Sequence, residues 1–153
     1  MSAPYNFIHN KTESMAVLWL TSQTIGTEAI YQGKRSLDKA GQCVVCYVEK
    51  SVEDPPNSKN YRQVLKVIVR TPFGAAADDT SHASLVGKTF DALSMGHTTD
   101  PNYFRDTLSA LVADYTVLGF FTPDVAMESG PDENNRWQDE MRLGIYCCGA
   151  DIS

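Results

Sequence analysis

Residues 136–148 have the sequence RWQDEMRLGIYCC, and from Asp139 onward their side chains alternate between two sets. One set is largely apolar: Met141, Leu143, Ile145 and Cys147. The other contains Glu140, Arg142, Gly144 and Tyr146. Successive side chains of a β-strand point to opposite faces of the sheet. The stretch therefore predicts a strand with one buried face and one solvent-exposed face.

Three other stretches favour strands that can pair with it. Residues 43–49 form an apolar run without alternation, which is typical of a strand covered on both faces. Residues 61–70 alternate, and the acidic, proline-containing turn 53–60 joins them to 43–49 as a β-hairpin. Residues 115–121 are apolar on both faces, and 125–128 extend them as an edge piece. With the C-terminal strand they predict a second hairpin.

Helical patterns lie before and between these hairpins. The first helix is predicted from Asn10 to about Tyr31, and its apolar stripe contains Met15, Leu18, Ser22, Ile25 and Ala29. A second helix begins at 79–81, with Ala83, Val86, Phe90 and Leu93 on one stripe. A third is capped by Asp100 before Pro101, and its stripe contains Phe104, Leu108, Leu111 and Val112.

These elements predict an α+β fold. We expect a mostly antiparallel sheet of about four strands, in two hairpins, with two to three helices packed against it. At 153 residues the chain is expected to form a single domain, 1–153, in which 1–9 is an N-terminal lead and 149–153 a short tail.

The charge balance argues against a general nucleic-acid binder. The formal net charge is -6 and the pI is about 4.9, so the surface as a whole repels phosphate. The densest basic group is Lys34, Arg35 and Lys39, with Asp38 among them, and this pattern favours a solvated turn. Neither a membrane-spanning run nor a signal peptide is visible in the sequence, which predicts a soluble protein made inside the cell.

No set of residues requires a reaction. Cys43 and Cys46 have C-x-x-C spacing but lie in a predicted strand, where residues three apart point to opposite faces. Buried thiols are therefore favoured, and a zinc site that takes one cysteine from each of two strands stays open as an alternative. We expect His9, His82 and His97 to be surface or cap residues, and Asp78-Asp79 to cap a helix. The predictions are no catalytic residue, no cofactor and no metal.

Three stretches together resemble a known protein family. They are 61–71, the helix with Asp79-Thr80-Ser81-His82 at its head and Phe90-Asp91-Ala92-Leu93 near its end, and 136–143. Over residues 12 to 148 the chain resembles the tail terminator (tail completion) proteins of long-tailed bacteriophages and related neck and minor tail proteins. The helix at 104–112 and the long loop 128–135 depart from that pattern.

The resemblance implies a structural role in a virion, without catalysis. Such proteins form a ring, usually a homo-hexamer, that caps the finished tail tube and presents a surface to the head-side connector. The implied partners are copies of the same chain, the tail tube protein and the connector or neck proteins. The genome passes through the ring without sequence-specific binding. The implied location is the tail or neck of a virion assembled in the host cytoplasm.

On this interpretation loops and sheet edges form the contacts. The candidate interface residues are Asp54, Pro55, Pro56, Asn57, Pro72, Phe73, Phe120, Phe121, Asp132 and Glu133. The two acidic loops have a simpler interpretation as solvated connections. Two other functions stay open: another neck or minor tail assembly role, or a small cytosolic ligand-binding or enzymatic domain. The latter predicts a monomer or dimer with a pocket between the sheet and the 103–112 helix.

Overall fold

The computed structural model describes residues 8–38, 41–72, 80–94, 100–121, 130–131 and 136–149. The helices are α1 (Ile8–Ser22), α2 (Thr80–Leu93) and α3 (Pro101–Ser109), with a short 3-10 helix at Lys34–Asp38. The strands are β1 (Ile30–Gln32), β2 (Cys43–Glu53), β3 (Asn60–Pro72), β4 (Tyr115–Phe121), β5 (Gly130–Pro131) and β6 (Arg136–Gly149). In these ranges no helix has the length and apolar character that crossing a membrane requires.

The strands form one sheet in the order β1-β2-β3-β6-β4, and β5 pairs with β6 beside that path. The predicted hairpin of β2 and β3 is present, and β4 pairs antiparallel with β6. Strand β6 also pairs with the whole length of β3, from Pro72↔Arg136 to Asn60↔Cys148. The sequence that predicted a half-buried strand therefore occupies an interior position of the sheet. The α+β class is confirmed.

The prediction of about four antiparallel strands is incomplete, because β1 runs parallel to β2 and makes the sheet mixed. The first helix was expected to continue to about Tyr31, but it begins at Ile8 and ends at Ser22. Thr24 and Gly26 follow with positive φ angles of 53° and 112°, which a helix cannot accommodate. The chain then turns, and Ile30 pairs with Val44.

The three helices contribute to one hydrophobic core together with one face of the sheet. Trp19 of α1 is a buried member of this core: its ring is 5.3 Å from that of Phe104, and its Nε1 donates to the Ala92 carbonyl at 2.8 Å. Burying an aromatic residue of this size dominates local packing. With Trp19 buried, the adjacent Leu18 is 46% exposed, and the predicted placement of Leu18 on the buried stripe is wrong.

The other helix predictions hold in part. Asp100 caps α3, accepting a hydrogen bond from the Asn102 N–H at 3.0 Å. The helix ends at Ser109, earlier than expected, although Leu111 and Val112 still pack against the core. On α2, Ala83 is exposed, and the buried face includes Leu85, Val86, Ala92 and Leu93.

Strand β2 is covered on both faces at its start, as predicted. Cys46 belongs to the main core, whereas Cys43 lies in a second cluster with Val45, Tyr47 and Ile68 on the opposite face. Tyr31, Leu37 and Ala29 pack against that second cluster. All four cysteines are free thiols, and the two of the C-x-x-C spacing point to opposite sides of the sheet.

Candidate functional site

The face of the sheet opposite the helices, here called the outer face, carries the candidate functional residues. The register of β3 against β6 places cross-strand pairs along it: Arg62 with Tyr146, Lys66 with Arg142, and Arg70 with Gln138. The second apolar cluster covers one part of this face. Charged residues, including Lys66 and Arg142, lie next to this cluster on the same face. A group of aromatic and charged residues lies beyond them, near the β2–β3 turn.

That last group, the outer-face cluster, consists of Asp54, Arg62, Phe121 and Tyr146. The guanidinium of Arg62 stacks on the Phe121 ring, with its Cζ 4.5 Å from the ring centroid. Arg62 Nη1 lies 3.6 Å from Asp54 Oδ2, and both side chains are about half exposed. The Tyr146 hydroxyl donates to the Asp54 carbonyl at 2.7 Å. Three strands and one turn thus place these four residues together, with exposed Val52 opposite Arg62 on β2.

A β-bulge decides which phenylalanine belongs to this cluster. The alternation over 115–121 places Phe121 on the side of Tyr115 and Val117, but the register shifts between Val117 and Gly119. After the shift Phe120 faces the core and stacks on Phe104 at 5.1 Å, while Phe121 faces outward beside Arg62. A bulge adds one residue to one strand and reverses the facing of everything beyond it. A strand of regular alternation, as the sequence pattern predicts, therefore gives the wrong facing for both Phe120 and Phe121.

A charged network continues along the outer face from the cluster. Arg142 Nε donates to Glu49 Oε2 at 2.8 Å, and Lys66 Nζ lies 3.2 Å from Glu140 Oε2. The hydrogen bond from Arg142 lowers the pKa of Glu49 below its usual value, against a smaller opposing effect of burial. The four charges alternate in sign, so this part of the face is locally neutral.

The β2–β3 turn, predicted as a contact arm, has a defined shape. The Glu53 carboxylate accepts hydrogen bonds from the N–H groups of Asn57, at 2.9 Å, and Lys59, at 3.1 Å. Both of those residues have positive φ angles, 64° and 61°. Pro55, Pro56 and Asn57 are exposed at the tip, and Asp54 joins the outer-face cluster. The turn can therefore present a fixed surface.

Of the remaining candidate interface residues, Pro72 is described and lies away from this cluster. Pro72 lies at the opposite end of β3 and pairs with Arg136. Phe73, Asp132 and Glu133 lie outside the described residues, as do Asp78, Asp79, His97 and the predicted strand extension at 125–128.

An open groove of about 930 Å³ lies between α1, the start of the 3-10 helix and the segment before β4. Lys11, Lys34 and Arg35 line it, with Glu13 as an acidic residue. Gln32, another lining residue, accepts from the Ser14 hydroxyl and donates to the Asn10 carbonyl. The sequence identified Lys34 and Arg35 as a basic group. It did not predict that Lys11 lies beside them, because α1 and the 3-10 helix are brought together only by the fold.

Two groups of polar residues are buried. His82 was expected at the surface, but it is only 5% exposed, with Nε2 2.7 Å from Asp139 Oδ2 and Nδ1 2.8 Å from Thr71 Oγ1. That expectation is wrong, because the first turn of α2 packs directly on the sheet. Thr71 Oγ1 also accepts from Gln42 Nε2 at 3.1 Å, so its hydroxyl contacts two side chains. The arrangement joins α2 to β3 and β6.

The second buried group lies under α1. Thr12 contacts Gln63, Tyr115 at 3.1 Å and Cys147 at 3.8 Å. Burial raises the pKa of the Tyr115 hydroxyl, and it raises the pKa of the Cys147 thiol to about 11. Protonated, hydrogen-bonded groups of this kind stabilise a core and are poor nucleophiles. Among the described residues, no three His, Cys, Asp or Glu side chains lie close enough together to hold a metal ion.

No protein-family model matches the chain, and no curated protein matches its sequence. Its structure is similar to a chain of a solved structure described as "Virion of native gene transfer agent (GTA) particle". The TM-score is 0.57 at 14% sequence identity, and the match covers 92% of this chain and 96% of the other. At this identity the likeness shows a shared fold.

Proposed function

We propose that this protein is a structural component of a phage-like virion and, within that class, a tail terminator. The observation that carries the proposal is the likeness to a chain of a gene transfer agent virion over nearly the whole length of both chains. The two chains correspond as complete folds, and a shared fragment does not account for the match. The proposed location is the tail or neck of a particle.

In this role the chain assembles with itself as a ring, which we propose to be hexameric, on the head end of the tail tube. The ring stops growth of the tube and presents a surface to the connector proteins. No catalysis and no cofactor are part of this function. The net charge of -6 supports it, because a ring through which the genome passes should not bind DNA to its wall.

The outer-face cluster is the surface that we assign to assembly. Arginine and aromatic residues are enriched in protein interfaces, and residues of these types dominate binding energy. Arg62 and Phe121 are already stacked, so little side-chain entropy is lost when a partner covers them. The rigid Pro55–Asn57 tip beside them adds exposed area of fixed shape.

The alternative function, a ligand-binding domain, has less support. Its pocket was expected between the sheet and the 103–112 helix, the region of α3. Phe104 and Leu108 of α3 are both only 1% exposed, and they fill the space between that helix and the sheet. The broader alternative, another neck or minor tail protein, shares every observation made above and differs only in position along the tail.

Two measurements test the proposal. Light scattering over a concentration series, with negative-stain imaging, should show a ring species for the wild-type protein. Arg62→Glu should reduce that species at least tenfold while circular dichroism shows an unchanged fold. Lys88→Glu, on the exposed side of α2, is the matched control and should assemble normally.

The second measurement locates the chain in particles. An antibody against it should label one end of purified tails at the junction with the head. If purified particles lack the chain, the virion function is wrong. If the antibody labels a different position on the tail, the virion class stands and the tail-terminator assignment fails.

A further inference from the structure

The groove beside α1 presents positive charge to solvent in a protein whose formal net charge is -6. Lys34 and Arg35 are exposed at the start of the 3-10 helix, and Lys11 of α1 lines the groove with them. The acidic residue of the lining, Glu13, is only 8% exposed, and its Oε2 accepts from the Val48 N–H of β2 at 2.9 Å. The Glu13 carboxylate is therefore held against the sheet, and the charge that a ligand meets is mainly cationic.

The size and the neutral lining of the groove suit a ligand with several side chains. Its volume of about 930 Å³ lies near the upper end of the range for ligand sites, roughly 300–1,000 Å³, and one inorganic anion does not fill it. Val112 and Ala113 add apolar surface, and Ser14 and Gln32 add a hydroxyl and an amide. An extended peptide carries charged, polar and apolar groups together, so it matches this mixed lining.

Two exposed acidic residues at the borders of the groove separate a peptide from a nucleic acid as the ligand. Asp38 ends the 3-10 helix that Lys34 begins, and Asp114 directly follows Ala113 of the lining. A nucleic-acid strand carries a negative charge at every nucleotide, so it is repelled where it leaves the groove. A peptide carries carboxylates only where its sequence places them, and it can match the central cations without meeting these borders with like charge.

We propose that this groove binds an extended acidic segment of a different protein, whose carboxylates contact Lys11, Lys34 and Arg35. The guanidinium of Arg35 can bind a carboxylate through two parallel hydrogen bonds. The Lys11 ammonium has three N–H donors, of which one is used by the Asp114 carbonyl at 3.1 Å. The inference goes beyond the proposed function, because the groove shares no residue with the outer-face cluster that we assign to self-assembly.

The test measures binding of a fluorescently labelled peptide of alternating glutamate and serine to the full-length chain, by anisotropy in low salt. The groove variant, Lys34→Glu with Arg35→Glu, should bind the peptide at least tenfold more weakly than the wild type. If charge reversal unfolds the chain, Lys34→Ala with Arg35→Ala replaces it and should weaken binding at least threefold. Lys50→Glu with Lys88→Glu changes the net charge as the groove variant does, at exposed positions elsewhere, and should bind normally.

Three changes on the ligand side test the chemistry without any substitution in the protein. A peptide with glutamine in place of glutamate should bind at least tenfold more weakly, because it lacks the carboxylates. An oligothymidylate with the same number of charges should also bind more weakly than the acidic peptide. Raising the salt should weaken binding of the peptide, since the Debye length falls from about 10 Å at 0.1 M to about 3 Å at 1 M.

Four results overturn the inference. Two are a folded groove variant that binds the acidic peptide like the wild type, and a wild-type chain that does not bind it at millimolar peptide in low salt. Tighter binding of oligothymidylate would make the ligand a phosphate chain. A groove variant that loses self-association but keeps peptide binding would assign the groove to a second copy of this chain. The antibody labelling of particles is independent of these outcomes, so failure of this site is distinguishable from failure of the virion function.

Discussion

The imidazole Nε2 of His82 lies 2.7 Å from the Oδ2 atom of Asp139, and both side chains are almost completely buried. The pair joins the first turn of α2 to β6, and Thr71 of β3 holds the other imidazole nitrogen. Three elements therefore meet at one imidazole, whose two polar contacts can both form only when α2 sits correctly on the sheet.

Removing Asp139 should destabilise the fold, because it leaves a buried imidazole without its acceptor. We expect Asp139→Ala to lower the free energy of unfolding by about 2–4 kcal/mol, within the range for a broken buried polar pair. Urea denaturation at pH 7 measures this. The control is Asp91→Ala on the exposed side of α2, which should change stability by less than about 0.5 kcal/mol. Equal effects of the two substitutions would contradict the structural role of the pair.

Glu13 should make stability depend on pH in a defined direction. Burial raises the pKa of its carboxyl, against opposing effects of the Val48 N–H, His9 and Gln32. The pKa of Glu13 is therefore higher in the folded state than in the unfolded state. The protonated carboxyl stabilises the fold, and this contribution is complete at pH values below the unfolded-state pKa. That contribution is lost as the pH rises through the folded pKa, and the ionised group then carries a desolvation cost.

Glu13→Gln keeps an acceptor for the Val48 N–H and removes the charge. We expect the variant to be more stable than the wild type by roughly 1 kcal/mol at pH 7, and the difference to vanish near pH 4. Chemical denaturation at both pH values measures it, with exposed Glu28→Gln as the control. A variant that is less stable at pH 7 would mean that the ionised carboxylate is stabilising.

The thiols should differ sharply in reactivity. Burial raises the pKa of Cys46 and, to about 11, that of Cys147, so thiolate is scarce at both sites at pH 8. Cys43 is fully buried, whereas Cys148 is partly exposed. Brief treatment of the native protein with iodoacetamide should add one label, and Cys148→Ser should abolish it. Rapid labelling of Cys46 in the folded protein would contradict this packing.

Local patterns predicted the elements whose faces differ strongly in polarity. The alternation of Leu65 and Val67 with Lys66 identified β3, and Asp100-Pro101 identified the start of α3, because each signal depends on a few neighbouring residues. Strand β1 was not predicted, since three residues carry no periodicity and their identity as a strand comes from pairing with Val44–Cys46.

The candidate site was predictable only in part for the same reason. Exposure of the Pro55–Asn57 tip follows from its composition. The groove and the outer-face cluster each combine side chains from distant segments, such as Arg62 with Phe121, and no local signal reports that proximity. The burial of His82 was not predicted, because a histidine in the first turn of a helix is usually a surface or capping residue. Its burial follows from contact with Asp139 of β6, which is distant in sequence.

Phe120 and Phe121 are adjacent in sequence but face opposite sides of the sheet, because of the bulge in β4. Substituting each of them in turn therefore tests the bulge and the assembly surface together. Phe120 stacks on Phe104 in the core, at a centroid distance of 5.1 Å, and Phe121 lies under the Arg62 guanidinium on the outer face. We expect Phe120→Ala to lower the free energy of unfolding by about 2–4 kcal/mol, a large-to-small change in a packed site. Phe121→Ala should lower the free energy of unfolding by about 1 kcal/mol, because it removes only a partly exposed cation–π contact.

The two substitutions should also separate stability from assembly. Thermal unfolding ranks their stability, and light scattering at a temperature where both variants are folded ranks their self-association. Phe121→Ala should weaken association at least tenfold, whereas Phe120→Ala, once folded, should associate like the wild type. The reverse order in both measurements would mean that the alternation continues through Leu118 without a bulge. The outer-face cluster would then lose its aromatic member, and the assembly surface would have to lie elsewhere on the sheet.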